Sequence, residues 1–188
     1  MIMYKYILIL LLIAAICSNV QAQRMTPQQK AIEISAGALI SRNMDHDHFL
    51  NLGMTINGRA GNYFLVAMEY SRMRHAYKDI KIPVENFLAE GGYSIRLLAD
   101  RRKSFSLHTG ITGLLGYESI NRGDSVLFDG ASIMNQGGLI YGGTVRLSSE
   151  MYISDRLILF AQGRSRAVFN TSVSKFRPSV GLGIRFNF

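Results

Sequence analysis

Residues 176–188, which end the chain, read FRPSVGLGIRFNF and alternate between apolar and polar residues without a break. Every second residue from Phe176 to Phe188 is apolar, and the residues between them are Arg, Ser, Gly or Asn. A period of two is typical of a β-strand with one apolar and one polar face. About ten residues of such a strand cross the hydrocarbon core of a bilayer when the strand is tilted. The stretch therefore predicts a strand that either spans a membrane or belongs to a soluble sandwich.

Two aromatic residues at the end of this stretch, Phe186 and Phe188, favour the membrane alternative. In this respect the ending resembles outer-membrane barrels as a class. Their final strand typically ends in an aromatic residue on the lipid-facing side, and that end is recognised during assembly. The resemblance implies that Phe186 and Phe188 form an assembly signal and that the barrel-assembly machinery is a partner.

Seven earlier segments alternate in the same way, at residues 30–41, 48–57, 63–72, 84–98, 105–119, 138–153 and 157–169. The connections after the second, fourth and sixth segments are short, whereas those after the first, third, fifth and seventh are longer, including a loop over 73–83. This pattern is typical of bacterial outer-membrane barrels. It predicts an all-β, eight-stranded antiparallel up-and-down transmembrane β-barrel with both termini on the periplasmic side. Segment 157–169 is the least regular, because Ile158 and Phe160 fall with its polar residues.

A soluble barrel of the lipocalin kind would reverse the two faces and place the apolar residues inside. Small residues on the polar faces favour the membrane barrel, since a narrow lumen closes only around a mixture of sizes. The apolar faces carry almost no charge and hold aromatic residues near the strand ends, as interfacial girdles require. The small residues are Gly37, Gly53, Gly142, Gly181 and Gly183, and the girdle candidates are Tyr63, Tyr70, Phe105, Tyr117, Tyr141, Phe186 and Phe188.

The first 22 residues have the features of a secretory signal peptide. Lys5 provides the positive end, residues 7–16 form an apolar run, and Val20 and Ala22 supply the small residues before a cleavage site at Gln23. Lipoprotein processing at Cys17 is the alternative, although Ile16 precedes it where a small residue is expected. The prediction is a cleaved signal peptide at 1–22, one barrel domain at 23–188, and a location in the bacterial outer membrane. Since Cys17 is the only cysteine, the mature domain has no thiol for a disulfide or a metal.

Charged residues of both signs occupy the polar faces of the predicted strands. An eight-stranded barrel has just enough interior for side chains, and buried charges are tolerated when they are paired. We therefore predict an ion-pair plug that holds the lumen shut, rather than a gated ion path. Its members are Glu33, Glu69, Glu90, Arg96, Arg146, Glu150, Arg164 and Arg185.

Two groups of residues raise the alternatives of a metal site and of an enzyme. The segment Asp45, His46, Asp47 and His48 has a spacing that suits a metal, but no further ligand accompanies it, so a polar loop is predicted. Ser106 and His108, with Glu118, suggest a lipid hydrolase, yet they lie on the face assigned to the lumen, away from acyl chains. The prediction is a protein without enzymatic activity, cofactor or metal.

The chain is basic, with 21 Lys and Arg against 13 Asp and Glu. Its basic loops lack the interleaved aromatic residues that stack on bases, so no direct contact with nucleic acid is expected. Contact with the phosphates of lipopolysaccharide is the more ordinary use of Lys and Arg at such a rim.

The YISDR turn at 152–156 and the ending FRPSVGLGIRFNF, in a single small barrel behind a leader that ends in AQ, resemble the TraO family of conjugative-transposon transfer proteins. The resemblance extends over essentially the whole chain. It implies a non-enzymatic outer-membrane component of a conjugative, type IV secretion-like apparatus, with other subunits of that apparatus as partners. The alternatives are a general OmpA-like or OmpX-like surface barrel that binds lipid or an external ligand, and a barrel hydrolase that modifies lipid A.

Overall fold

The computed structural model describes residues 27–40, 47–77, 80–101, 104–121 and 137–188, and for residues 75–77, 80 and 81 it describes the backbone alone. The predicted signal peptide, Cys17, Asp45 and His46 lie outside these residues. The described chain forms eight strands: β1 (Lys30–Leu39), β2 (His48–Asn57), β3 (Tyr63–Tyr77), β4 (Ile80–Ala99), β5 (Phe105–Ile120), β6 (Gly137–Tyr152), β7 (Leu157–Phe169) and β8 (Phe176–Asn187).

Each strand pairs antiparallel with the next, and β8 pairs with β1 to close the barrel. At this seam Ile32 pairs with Phe186 and Ile34 pairs with Ile184. The N–H of Phe188 donates to the carbonyl of Lys30 at 2.9 Å. The predicted eight-stranded up-and-down barrel is confirmed, and the alternating final stretch forms the strand that closes it.

The outer surface of the barrel is apolar and the interior is polar. On the outer face Met68 is 73% exposed and Leu182 is 71% exposed, whereas the inward-facing Glu33 is completely buried. This is the reverse of a lipocalin-like barrel, so the predicted assignment of faces is confirmed. Segment 157–169 forms β7, and its two irregular apolar residues, Ile158 and Phe160, point inward and are buried.

One end of the barrel carries the start of β1, the end of β8 and three short connections, and we call it the terminal end. Two of its turns show how the chain reverses. A one-turn 3-10 helix spans Arg59–Gly61, where Ala60 and Gly61 adopt positive φ values of 60° and 80°. In the turn before β7, the hydroxyl of Ser154 accepts the N–H of Leu157 at 3.2 Å. The opposite end, which we call the loop end, carries the other four connections.

The predicted loop over residues 73–83 is wrong, because β3 and β4 remain paired up to Tyr77 and Ile80. The cause is a change in the polarity that the outer face requires along these two strands. Beyond the apolar band the outward positions no longer need apolar side chains, and Arg72 pairs there with Glu85 at 3.7 Å. The inward positions stay apolar at Met73 and Val84. The hairpin therefore extends past the band with its polarity pattern altered, and the altered pattern suggests a loop.

Aromatic side chains form a belt at each end of the apolar band, as the girdle prediction requires. Tyr70 packs on Phe87 at 5.1 Å near the loop end, and Phe64 packs on Tyr93 at 4.7 Å nearer the terminal end. Tyr63 is the exception to the prediction. It is completely buried inside the barrel, because it starts β3 in the inward register.

Candidate functional site

The interior of the barrel is the candidate site, and its inward-facing glycines determine where large side chains fit. A side-chain carbon at Gly181 would lie 2.6 Å from the ring of Phe49, and a carbon at Gly37 would lie 2.7 Å from the same ring. The ring of Phe160 likewise occupies the space beside Gly183. Large inward aromatic residues on β2 and β7 are thus accommodated by glycines on β1 and β8.

Near the terminal end, charged residues from opposite walls meet in a first group, which we call the terminal-end cluster: Glu33, Arg146, Glu150, Arg185 and Tyr63. Arg185 donates to Glu33 at 3.0 Å and to Glu150 at 2.9 Å. Arg146 donates to the other oxygen of Glu33 at 2.9 Å, and the hydroxyl of Tyr63 donates to Glu150 at 2.9 Å. The guanidinium carbon of Arg185 lies 4.3 Å from the centre of the Tyr63 ring. The cluster links β1, β3, β6 and β8.

The central cluster consists of Glu69, Glu90, Arg164 and Arg166. Arg166 donates two hydrogen bonds of 2.6 Å, one to each carboxylate oxygen of Glu69, and also contacts Glu90 at 2.8 Å. Arg164 adds a third bond to Glu69 at 2.6 Å, and its guanidinium carbon lies 4.0 Å from the centre of the Phe49 ring. Two-bond contacts of this kind are among the strongest hydrogen bonds in proteins. Because β3 and β7 are four strands apart in a closed barrel of eight, the bonds cross the lumen.

A third group, the loop-end cluster, joins Glu118 to Arg177. The two side chains meet at 2.7 Å. Thr171, in the connection before β8, donates to Glu118 at 2.9 Å and accepts from Arg177 at 2.6 Å. Arg177 also donates to Asn86 at 3.3 Å. This cluster ties the last connection to the inner wall of β4 and β5.

Every cluster is electrically balanced. The first two each hold two glutamates and two arginines, and the third holds one of each. Balance is required here, because a buried charge without a partner carries a desolvation penalty of several kcal/mol. The interior therefore consists of neutral, cross-linked layers.

Seven of the eight residues predicted for the plug lie in these clusters. The structure divides them between the terminal-end and central clusters. Arg96 is the exception: it is half-buried beside Gly61, and within the described ranges no carboxylate lies at ion-pair distance from it. Sequence reasoning missed several members of the network. Their inward register was a usable signal for them: Tyr63, Glu118, Arg166 and Arg177.

The residues considered for a hydrolase are not arranged as a catalytic triad. His108 contacts the carbonyl of Gly61 through Nε2 at 3.2 Å, and its Nδ1 lies 3.5 Å from Glu150. Glu118 belongs to the loop-end cluster, at the other end of the lumen. Both Ser106 and His108 are buried inside the barrel, away from its outer face.

Two residues of the predicted polar loop, Asp47 and His48, are described by the structure. Their side chains point in different directions. Asp47 is buried and accepts the backbone N–H of Arg74 at 2.9 Å, whereas His48 begins β2 on the outer face. Over the part of the chain that the structure describes, no three His, Cys, Asp or Glu residues are grouped as they would be around a metal ion. The same residues include no helix long and apolar enough to cross a membrane.

Comparison with known proteins gives a family and a set of similar folds. The family described as conjugative transposon protein TraO matches residues 26–188. No curated protein matches the chain in sequence. Among solved structures, one similar fold is Ail, the attachment invasion locus protein of Yersinia pestis, in complex with the heparin analogue sucrose octasulfate. Its TM-score to this chain is 0.56 at 10% sequence identity, and the match covers 87% of this chain and 100% of the Ail chain. Neisserial surface protein A has a TM-score of 0.54 at 14% sequence identity, and the match covers 86% of this chain and 97% of the Neisserial protein. The fold is that of small outer-membrane barrels.

Proposed function

The chain belongs to the family of conjugative transposon protein TraO, and on this basis we propose that it is a non-enzymatic outer-membrane component of a conjugative DNA-transfer apparatus. In this role the barrel is an anchor. Its rims and outer face contact other subunits of the apparatus, and lipopolysaccharide surrounds it. The family match over residues 26–188 is the observation that carries the proposal.

The filled interior supports an anchoring role over a conducting one. Hydrogen bonds cross the lumen between opposite walls, from Glu69 on β3 to Arg164 and Arg166 on β7. A passing solute would have to separate these buried pairs, and exposing one charge without its partner costs several kcal/mol. We infer that the clusters act as a plug that keeps the barrel shut, so that DNA does not pass through it.

Deleting the gene from a donor strain is expected to lower the frequency of element transfer by orders of magnitude. Supplying the full-length chain in trans restores transfer if the loss is specific. Unchanged transfer after deletion would reject the proposed role. The general surface barrel of the OmpA-like or OmpX-like kind would then be the leading hypothesis.

Assembly in the outer membrane is the second part of the proposal, with a cleaved signal peptide and the barrel-assembly machinery as partner. The terminal aromatic residues are placed suitably for recognition. Phe186 lies on the outer face of β8, and Phe188, which directly follows the strand, is 60% exposed. They stand at the seam where β8 meets β1, the pairing that completes the closed barrel. We propose that these two side chains are the assembly signal.

The substitution Phe188→Ala is expected to reduce the amount of folded barrel in the outer membrane several-fold. The folded fraction is measured as the fast-migrating band of an unheated sample, which shifts on boiling. Phe176→Ala is the matched control, since Phe176 is similarly exposed at 63% on the same face of β8 but at its other end. Equal losses for the two variants would show that the position at the end of the chain has no special role in assembly.

A further inference from the structure

The inner wall formed by β5, β6 and β7 carries a concentration of buried polar atoms without protein partners among the described residues. Arg146 and Arg164 lie directly opposite each other in the register of β6 and β7. Each uses only Nη1 in its ion pair, with Glu33 and Glu69 respectively. Over the described residues, Nε and Nη2 of both arginines have no hydrogen-bond partner. These two nitrogens form the edge with which a guanidinium binds a ligand through two bonds.

Four more unpartnered groups surround the two arginines. On β6, Thr144 and Ser148 are the inward residues on either side of Arg146. Thr112 pairs with Thr144 across the β5–β6 ladder, and Ser148 pairs with Gln162 across the β6–β7 ladder. Among the described residues, the three hydroxyls and the side-chain carbonyl of Gln162 have no hydrogen-bond partner. The eight atoms thus form one contiguous patch on the inner wall.

The patch has a defined boundary toward the loop end. Toward the loop end the same wall becomes apolar. The boundary is one cluster of buried side chains from β4 to β7: Leu88, Leu114, Ile140 and Val168.

We propose that this patch binds a small cluster of ordered water molecules enclosed in the lumen. Buried polar groups in folded proteins are almost always hydrogen-bonded, and buried waters typically make about three such bonds each. Eight atoms therefore call for about three waters. The waters complete the hydrogen bonding of Arg146 and Arg164 and connect the terminal-end cluster to the central cluster.

Two observations favour water over a trapped anion. First, the five buried glutamates and five buried arginines of the three clusters already balance, so an anion would add an uncompensated charge in a low-dielectric interior. Second, the patch contains acceptors as well as donors. The carbonyl oxygen of Gln162 requires a donated proton, which a simple anion cannot supply and water can.

The test uses the mature barrel, labelled with ¹⁵N and folded in detergent micelles, and measures magnetisation transfer from water to the Nε–H groups of arginine. We expect water cross-peaks at Arg146 and Arg164. The internal controls are Arg166 and Arg185, whose Nε–H groups donate to Glu90 and Glu33 and should show none. Equal cross-peaks at all four arginines, or none at Arg146 and Arg164, would overturn the proposal.

Variants of the hydroxyl residues and a titration with bromide test the water site further. The nearly isosteric double substitution Thr112→Val and Thr144→Val is expected to reduce the two cross-peaks more than twofold. Ser71→Ala is the control, because its hydroxyl lies on another wall and accepts from Asn86 at 3.4 Å. Adding bromide at constant ionic strength should leave the Nε–H shifts of Arg146 and Arg164 unchanged. A saturable shift of these two signals would identify an anion site and overturn the assignment to water.

Discussion

Replacing Glu69 by Gln is expected to lower the free energy of unfolding of the barrel by about 3–5 kcal/mol. Glu69 is buried and accepts three bonds of 2.6 Å from Arg164 and Arg166. The substitution keeps the size of the side chain and removes only its charge. It leaves two buried guanidinium groups with Glu90 as the remaining carboxylate of the cluster. The loss is therefore an electrostatic penalty, with little contribution from packing.

Glu85→Gln is the matched control for this prediction. Glu85 also pairs with an arginine, but at 3.7 Å and with both side chains partly exposed at the rim. Exposed pairs contribute about 0–1 kcal/mol, so a small change is expected. Unfolding by urea in lipid vesicles, followed by the gel mobility of the unheated barrel, measures both variants. Similar losses for the two substitutions would mean that the central cluster does not stabilise the fold.

The architecture was predictable from the sequence because one physical requirement acts on every strand. A face toward lipid must be apolar, and the opposite face of an eight-stranded barrel must fill a narrow polar interior. Strands such as β2 (His48–Asn57) and β7 (Leu157–Phe169) therefore match their predicted ranges to the residue. The same requirement explains the failure at residues 73–83. Where the outer face leaves the apolar band, the alternation that marks a strand is lost although the strand continues.

The sequence predicts which charged residues face inward better than it predicts which of them meet in a cluster. Alternation places Glu33 and Arg146 inside, but 113 positions separate them in the chain. The tilt and stagger of the strands determine which inward charges meet. The alternation of apolar and polar residues gives no information about either. Tyr63 shows the same limit. As a strand-end aromatic it fits a girdle, and only the register shows that its hydroxyl reaches Glu150.

The position of the apolar band leads to a second large expected effect. Met68→Arg places a charge on the outer face between the two aromatic belts, at a site that is 73% exposed. If lipid covers that face, the free energy of unfolding should fall by about 2–4 kcal/mol, the penalty for Arg near the middle of a bilayer. The measurement is the same urea titration in lipid vesicles. Leu98→Arg is the control, because Leu98 is 66% exposed near the end of β4, past the belt at Tyr93.

The contrast between these two sites separates a membrane barrel from a soluble one. Near the interface the cost of Arg falls to about 0–1 kcal/mol, so Leu98→Arg should change the stability little. In a protein surrounded by water, both substitutions would place a charge on an exposed surface, and neither would be costly. Equal small effects would contradict the proposed location in the membrane while leaving the eight-stranded fold intact. A large effect confined to Met68 requires a hydrocarbon environment at that height, because the two side chains differ little in exposure.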